Sequence, residues 1–231
     1  MTRSAAEQEI RDAVVARLRR LRPEARICHE VNSAVFGPTR MDVCAVSKSE
    51  IISVEIKSEK DKMVRAPRQI EFMAKCSSHS IIAIHECHLV EKVTNEHVAH
   101  YCRRDGKHYL LEAPPEAKGA LIWVYPERDR GEFPWDIGPW RPPQERMESA
   151  LPSSAIHLLW RDELAALCDS LSVSRGKRAR MDEMVRALWW HATGKELTLG
   201  ICAALRSRPF AEADERGARR RESLDIMEAA Q

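Results

Sequence analysis

The run IISVEIK, residues 51 to 57, constrains this chain more than any other stretch. Its apolar, β-branched composition reads as a strand, and side chains alternate along a strand. Ile52, Val54 and Ile56 therefore form a wholly apolar face, while Ile51, Ser53, Glu55 and Lys57 share the other. The apolar face belongs in a core. Glu and Lys are almost never fully buried unpaired, so the mixed face is expected to be partly open or to carry a site.

The neighbouring segments build a small α/β domain around that strand. Residues 5 to 21 place Ile10, Val14, Leu18 and Leu21 at helical spacing, with Arg11, Arg17, Arg19 and Arg20 mostly on other faces, and Pro23 ends the helix. Residues 27 to 31 read as a strand. MDVCAVS (41 to 47) and IISVEIK are two β-rich runs separated by the polar KSE, the pattern of a hairpin. Residues 66 to 76 read as a helix and 80 to 85 as a further strand, with additional β segments at 108 to 112 and 120 to 125. Residues 113 to 152 crowd eight prolines with Trp123, Trp135 and Trp140, which excludes long helices. From Ser153 the pattern is helical to about Leu205, and a charged tail follows. The expected architecture is α/β, a central mixed sheet flanked by helices at residues 1–112. A Pro/Trp-rich connection at 113–152, a small α-helical domain at 153–206 and a tail at 207–231 complete it.

Charge alone does not name a partner. Lys and Arg number 37 against 35 Asp and Glu, so local clusters must decide. The start MTRSAAEQEIRDAVV has no apolar core of a signal peptide, no stretch approaches a membrane span, and seven cysteines show no framework spacing. A reduced cytoplasmic protein without membrane contact is the expectation.

The hairpin gives the mixed face a third chemical group. With a loop of two or four residues, Asp42 lies directly opposite Glu55; an odd loop turns it away. Two opposed carboxylates repel, and a divalent cation removes that cost, since Mg²⁺ favours one or two carboxylates plus water and substrate phosphate. Asp42, Glu55 and Lys57 then suit phosphodiester hydrolysis, with Lys57 orienting the attacking water or offsetting charge at phosphorus. An exposed Glu–Lys pair on a sheet is the bland alternative for E-x-K alone, and such pairs contribute little.

RMDV, twelve residues between Asp42 and Glu55, and VEIKSEKD resemble the core of the PD-(D/E)XK nuclease superfamily, with its restriction-endonuclease-like fold. The wider stretch CHEVNSAVFGPTRMDVCAVSKSEIISVEIKS is similar to the MmcB-like group and to Holliday-junction-resolvase-like nucleases. The likeness covers roughly residues 5 to 86. It implies that Asp42 and Glu55 bind Mg²⁺ or Mn²⁺ with the Ile56 carbonyl, that Lys57 is catalytic, and that Gln69 on the following helix assists. A Glu from the first helix often joins the metal; Glu7 matches best and Glu9 is the alternative. The resemblance implies a DNA nuclease acting in repair, recombination or mobile-element processing, with no small-molecule cofactor. Dimers are common among resolvase-like relatives, so a homodimer is one expected state. Met41 replaces the motif's proline, and KDKMVRAPRQIEFM replaces most of the MmcB-like signature after the lysine.

Basic residues surround the motif. Arg40, Lys48, Lys60, Lys62, Arg65 and Arg68 are candidate phosphate contacts. Farther on, SVSRGKRAR joins two helical patterns and is similar to SAP-type or helix-extension-helix DNA-binding modules, which assigns Arg175, Lys177, Arg178 and Arg180 to the phosphate backbone. The alternative is a helical hairpin packing its leucines and Trp160, Trp189 and Trp190 on the first domain. Cys76, His79, His85, Cys87, His88, His97, His100 and Cys102 have short spacings, but zinc needs four converging ligands, and scattered residues are expected. A non-catalytic DNA-binding protein on a nuclease-like fold is the rival function.

Overall fold

The computed structural model describes residues 4–33, 35–36, 39–94, 102–104, 107–126, 149–174, 176 and 178–214. Helix α1 (Ala5–Leu21) starts where Ser4 Oγ accepts the Glu7 amide at 3.2 Å. Ile10, Val14 and Leu18 form its buried stripe. Three strands follow: β1 (Arg26–Asn32), β2 (Arg40–Val46) and β3 (Ile51–Lys57). The β2–β3 loop holds residues 47–50 and is closed by Ser47 N–H donating to the Glu50 carbonyl at 2.9 Å. Helix α2 (Ala66–Cys76) begins with Pro67 in its first turn, where a missing amide costs nothing. It leads to β4 (His79–His85).

A three-stranded sheet comes next: β5 (Val90–Thr94), β6 (Cys102–Arg104) and β7 (Lys107–Glu112), in the order β5-β7-β6. The chain then returns to the main sheet through β8 (Leu121–Tyr125). That mixed sheet has the order β1-β2-β3-β4-β8, antiparallel from β1 to β3 and parallel from β3 to β8. Its fifth strand lies beyond residue 112, so the α/β unit extends past the boundary expected from the proline-rich composition. Prolines punctuate the segment around β8 without interrupting it.

Helix α1 covers one face, packing Ile10, Val14 and Leu18 on Val43, Val54, Ile56, Ile81 and Trp123. The other face, carrying Cys44, Val46, Ile51, Ile82 and Ile84, is covered by α2 and by α3 (Arg161–Ser170), α4 (Met181–His191) and α5 (Gly194–Ser207). Leu164, Leu167, Leu188, Ile201 and Leu205 belong to the same continuous core as that sheet face. The C-terminal helices therefore do not form a body with a core of its own. Their leucines pack as the hairpin alternative expected, but Trp160, Trp189 and Trp190 stay largely exposed. Arg26 ties the two parts together by donating to the carbonyls of Leu205, Arg206 and Arg208. Both faces of β3 are thus covered, and its mixed face is more closed than alternation alone suggested. Among the described residues, no helix is long and apolar enough to cross a membrane.

Candidate active site

The four-residue loop sets the register Val43–Val54, Cys44–Ser53, Ala45–Ile52 and Val46–Ile51. Continuing it by one step brings Asp42 opposite Glu55. The ladder stops there: Asp42 Oδ2, not its main chain, accepts the Ile56 amide at 2.8 Å. The carboxylate is thereby fixed in the fork between β2 and β3.

Glu55 and Lys57 sit at the carboxyl end of β3, beside Ile82 and Ile84 of parallel β4. Their side chains are only 3% and 4% exposed. Lys57 Nζ donates to Glu55 Oε1 and to Gln69 Oε1, both at 2.8 Å. The Gln69 amide nitrogen donates back to Glu55 Oε1. This closed triangle answers the burial problem: the lysine and the carboxylate neutralise each other, and one residue from α2 fixes both. The second carboxylate oxygen, Glu55 Oε2, is buried with no partner.

Burial and the neighbouring Asp42 charge push the Glu55 carboxyl up to about 8, against the pull of Lys57. Burial also raises Asp42, opposed by the Ile56 amide and Arg11. Two desolvated carboxylates side by side are the arrangement that a cation stabilises.

These groups line a cleft of about 440 Å³ together with Glu7, Glu30, Thr39, Arg40, Ile56, Asp61, Val64, Arg65 and Arg68. Nine of the residues expected at the site (Glu7, Arg40, Asp42, Glu55, Ile56, Lys57, Arg65, Arg68 and Gln69) meet there. Glu9 does not; its carboxylate accepts the Tyr125 hydroxyl at 2.5 Å. Lys60 and Lys62 are exposed on the loop after β3, outside the cleft lining. Lys48 lies at the other end of the strands, because the hairpin loop joins the end of β3 opposite Glu55 and Lys57. It is not part of this site. Arg178 and Arg180 are exposed between α3 and α4, away from the cleft lining, and Arg175 and Lys177 fall outside the described residues.

Three participants were missed from sequence. Arg11 is 1% exposed, and its guanidinium donates to the Asp42 carbonyl at 2.7 Å and to Glu7 Oε1 at 2.9 Å. It also lies 3.5 Å from Glu30 and 3.9 Å from Asp42 Oδ1. The signal was its place one turn after Glu7 and next to inward-facing Ile10. Glu30 has a left-handed backbone, φ 55°, at the point where β1 passes Asp42, and nothing in its side chain announces that. Asp61 accepts the Ser58 amide at 2.8 Å and the Ser58 hydroxyl at 2.6 Å, closing the loop that follows Lys57.

The donor set fits a hard divalent cation. Glu55 Oε2 is an orphaned acceptor, Asp42 is anchored through one oxygen, and the Ile56 residue lines the same cleft. Glu7 is engaged by Arg11, and among the described residues no three His, Cys, Asp or Glu side chains converge as a ready cluster. The described cysteines and histidines of the short-spaced set are dispersed: Cys76 is buried in the core, His79 pairs with Glu50, and His88 meets the Ser58 carbonyl. His97 and His100 lie outside the described residues. Comparison with known protein families, with curated proteins and with solved structures found no match for this chain.

Proposed function

We propose that this chain is a Mg²⁺- or Mn²⁺-dependent nuclease that hydrolyses DNA phosphodiester bonds, on a restriction-endonuclease-like core. The observation that carries the reading is the Asp42–Glu55–Lys57 arrangement: a half-buried carboxylate and a buried one on adjacent strands, the buried one with an unpartnered oxygen, and an amine 2.8 Å from its other oxygen.

The cation would be held by Asp42, Glu55 and the Ile56 main-chain oxygen. When bound, it supplies a Lewis acid for a phosphoryl oxygen and a more acidic water. The residues of the chain do the rest. Lys57 Nζ, fixed by Glu55 and Gln69, orients the attacking water and places a positive charge where negative charge develops at phosphorus. Gln69 keeps the amine and carboxylate in register. Arg40, Arg65 and Arg68 at the cleft wall meet the flanking phosphates. Arg11 holds the Asp42 main chain and Glu7.

The test is incubation of the purified chain with labelled single-stranded, duplex, flap and four-way-junction DNA, with Mg²⁺, with Mn²⁺ and with EDTA. Metal-dependent cleavage of at least one substrate supports the reading. Binding without cleavage under every condition favours the non-catalytic DNA-binding alternative.

A further inference from the structure

The cleft is lined by Glu7, Glu30, Asp42, Glu55 and Asp61. Phosphodiester hydrolysis is often run by two metal ions about 3.5–4 Å apart, and a set of acids this large has ligands enough for both. The five are not equivalent. Asp61 is bonded to Ser58, and Glu55 Oε2, beside the Asp42 fork, is a buried acceptor without a partner. That side offers a hard cation a ready oxygen.

The other side already holds a positive charge. Arg11 Nη2 lies 2.9 Å from Glu7 Oε1, 3.5 Å from Glu30 Oε1 and 3.9 Å from Asp42 Oδ1. One nitrogen gathers oxygens from three carboxylates, as a metal ion does, whereas an arginine in a simple ion pair sets its fork against one carboxylate. Nη1 anchors the group by donating to the Asp42 carbonyl at 2.7 Å. Nε is buried with no partner. Leaving a buried donor unpaired costs free energy, so the acceptors at the two terminal nitrogens decide where the guanidinium sits.

This charge is fixed. Arg11 is 1% exposed, and a guanidinium stays protonated across the working pH range. Helix α1 delivers it one turn after Glu7, so acid and counter-charge arrive together. Glu30 has a cationic neighbour at each oxygen, with Arg40 Nε 3.5 Å from Oε2. Asp42 has one oxygen committed to the Ile56 amide and the other near Arg11, which leaves it poorly placed to bridge two ions.

We propose that the Arg11 guanidinium is the built-in second cation of this cleft. The chain takes one divalent ion, on Asp42 and Glu55, while Glu7 and Glu30 hold Arg11 rather than metal. The inference rests on the nuclease reading for the role of the first ion, and it deepens that reading to hydrolysis with a single metal.

The experiment counts Mn²⁺ on the purified full chain without DNA, by loss of the free-ion electron paramagnetic resonance signal and by titration calorimetry. Wild type should bind one Mn²⁺ per chain. Glu55→Gln should weaken that binding by at least about 10-fold, the scale on which a metal site responds to loss of its supporting groups. Glu7→Gln should change it by less than about 3-fold. Arg11→Gln should gain a second Mn²⁺, and Arg11→Gln/Glu7→Gln should lose it again. Two Mn²⁺ on wild type overturn the inference, as does a loss of about 10-fold in Glu7→Gln. A folded Arg11→Gln that still takes one ion also overturns it. If Arg11→Gln does not fold, wild type and Glu7→Gln decide. Cleavage scored on the same preparations separates the two readings. One Mn²⁺ bound without cleavage of any DNA sinks the nuclease reading and leaves the Arg11 assignment standing. Cleavage with two Mn²⁺ bound does the reverse, and a wild type that binds no Mn²⁺ overturns both.

Discussion

Arg11 on α1 donates to the main-chain oxygen of Asp42 on β2 at 2.7 Å, joining two residues that sequence spacing gives no reason to connect. The same guanidinium holds Glu7 at 2.9 Å. Replacing it with leucine leaves Glu7 and the Asp42 carbonyl without their donor on the wall of the cleft. Arg11→Leu is expected to destabilise the chain by about 1–3 kcal/mol, the usual cost of leaving hydrogen-bonding groups without their partner. Arg11→Lys should recover part of that, because one amine cannot serve all the acceptors of a planar fork. Denaturant unfolding of the two variants checks both statements.

Asp42 and Glu55 raise each other's cost in the metal-free protein. Asp42→Asn keeps an oxygen for the Ile56 amide and removes one charge. It should raise the melting temperature without metal by about 2–4 °C, the shift that 1 kcal/mol gives a chain of this size. Mg²⁺ or Mn²⁺ should raise the melting temperature of wild type and leave Asp42→Asn unmoved. Differential scanning fluorimetry with and without EDTA reads both effects.

Glu50 is expected to contribute to the acid sensitivity of the fold. Burial works against its ionisation, but His79 and Arg22 overcome that and hold its carboxyl below the usual range. Arg22 Nε donates to Glu50 Oε2 at 2.6 Å and His79 Nε2 lies 3.1 Å from Oε1. A lowered folded pKa means stability that is present above the unfolded carboxylate value and is lost as pH falls through the folded value. Wild type should therefore lose stability below about pH 4.5. Glu50→Gln should be less stable at neutral pH and show a shallower acid dependence. Urea titrations from pH 3 to 7 provide the comparison.

The shared core of the sheet and the C-terminal helices predicts one cooperative unit. Leu164 on α3 is fully buried in it. Leu164→Ala should lower a single melting transition, at a cost of about 2–5 kcal/mol. Two separate transitions, with only one of them shifted, would mean that the helices fold on their own.

Much of this arrangement was legible because local patterns agreed with the global fold. The alternation in IISVEIK, the helical stripe of Ile10, Val14 and Leu18, and the polar KSE between two β-rich runs each gave an element within a residue or two of where it lies. The sequence leaves register open between even and odd loops; the structure closes a four-residue loop at 47–50, and with it comes the approach of Asp42 to Glu55. What was hidden depended on distant partners. β8 joins the main sheet only after the excursion through β5 to β7, and proline-rich composition obscured it. Arg11 and Arg17 read as polar-face residues, yet both are buried: Arg11 under three carboxylates, and Arg17 against the Trp123 ring at 4.3 Å. Lys48 was grouped with the site because it is near in sequence to the motif. A hairpin places its loop at the opposite end from the fork, and seven residues of strand separate them.

The central claim is that Lys57, Glu55 and Asp42 form a hydrolytic site. Its most direct test compares wild type with Lys57→Ala for cleavage of the DNA substrate that wild type prefers, in Mg²⁺ or Mn²⁺, with both proteins shown to be folded and to bind that DNA. The account predicts metal-dependent cleavage by wild type and a rate at least about 100-fold lower in the variant, the loss expected when a group that stabilises developing charge is removed. Equal cleavage by the two proteins, or no cleavage by wild type with either metal, would contradict it.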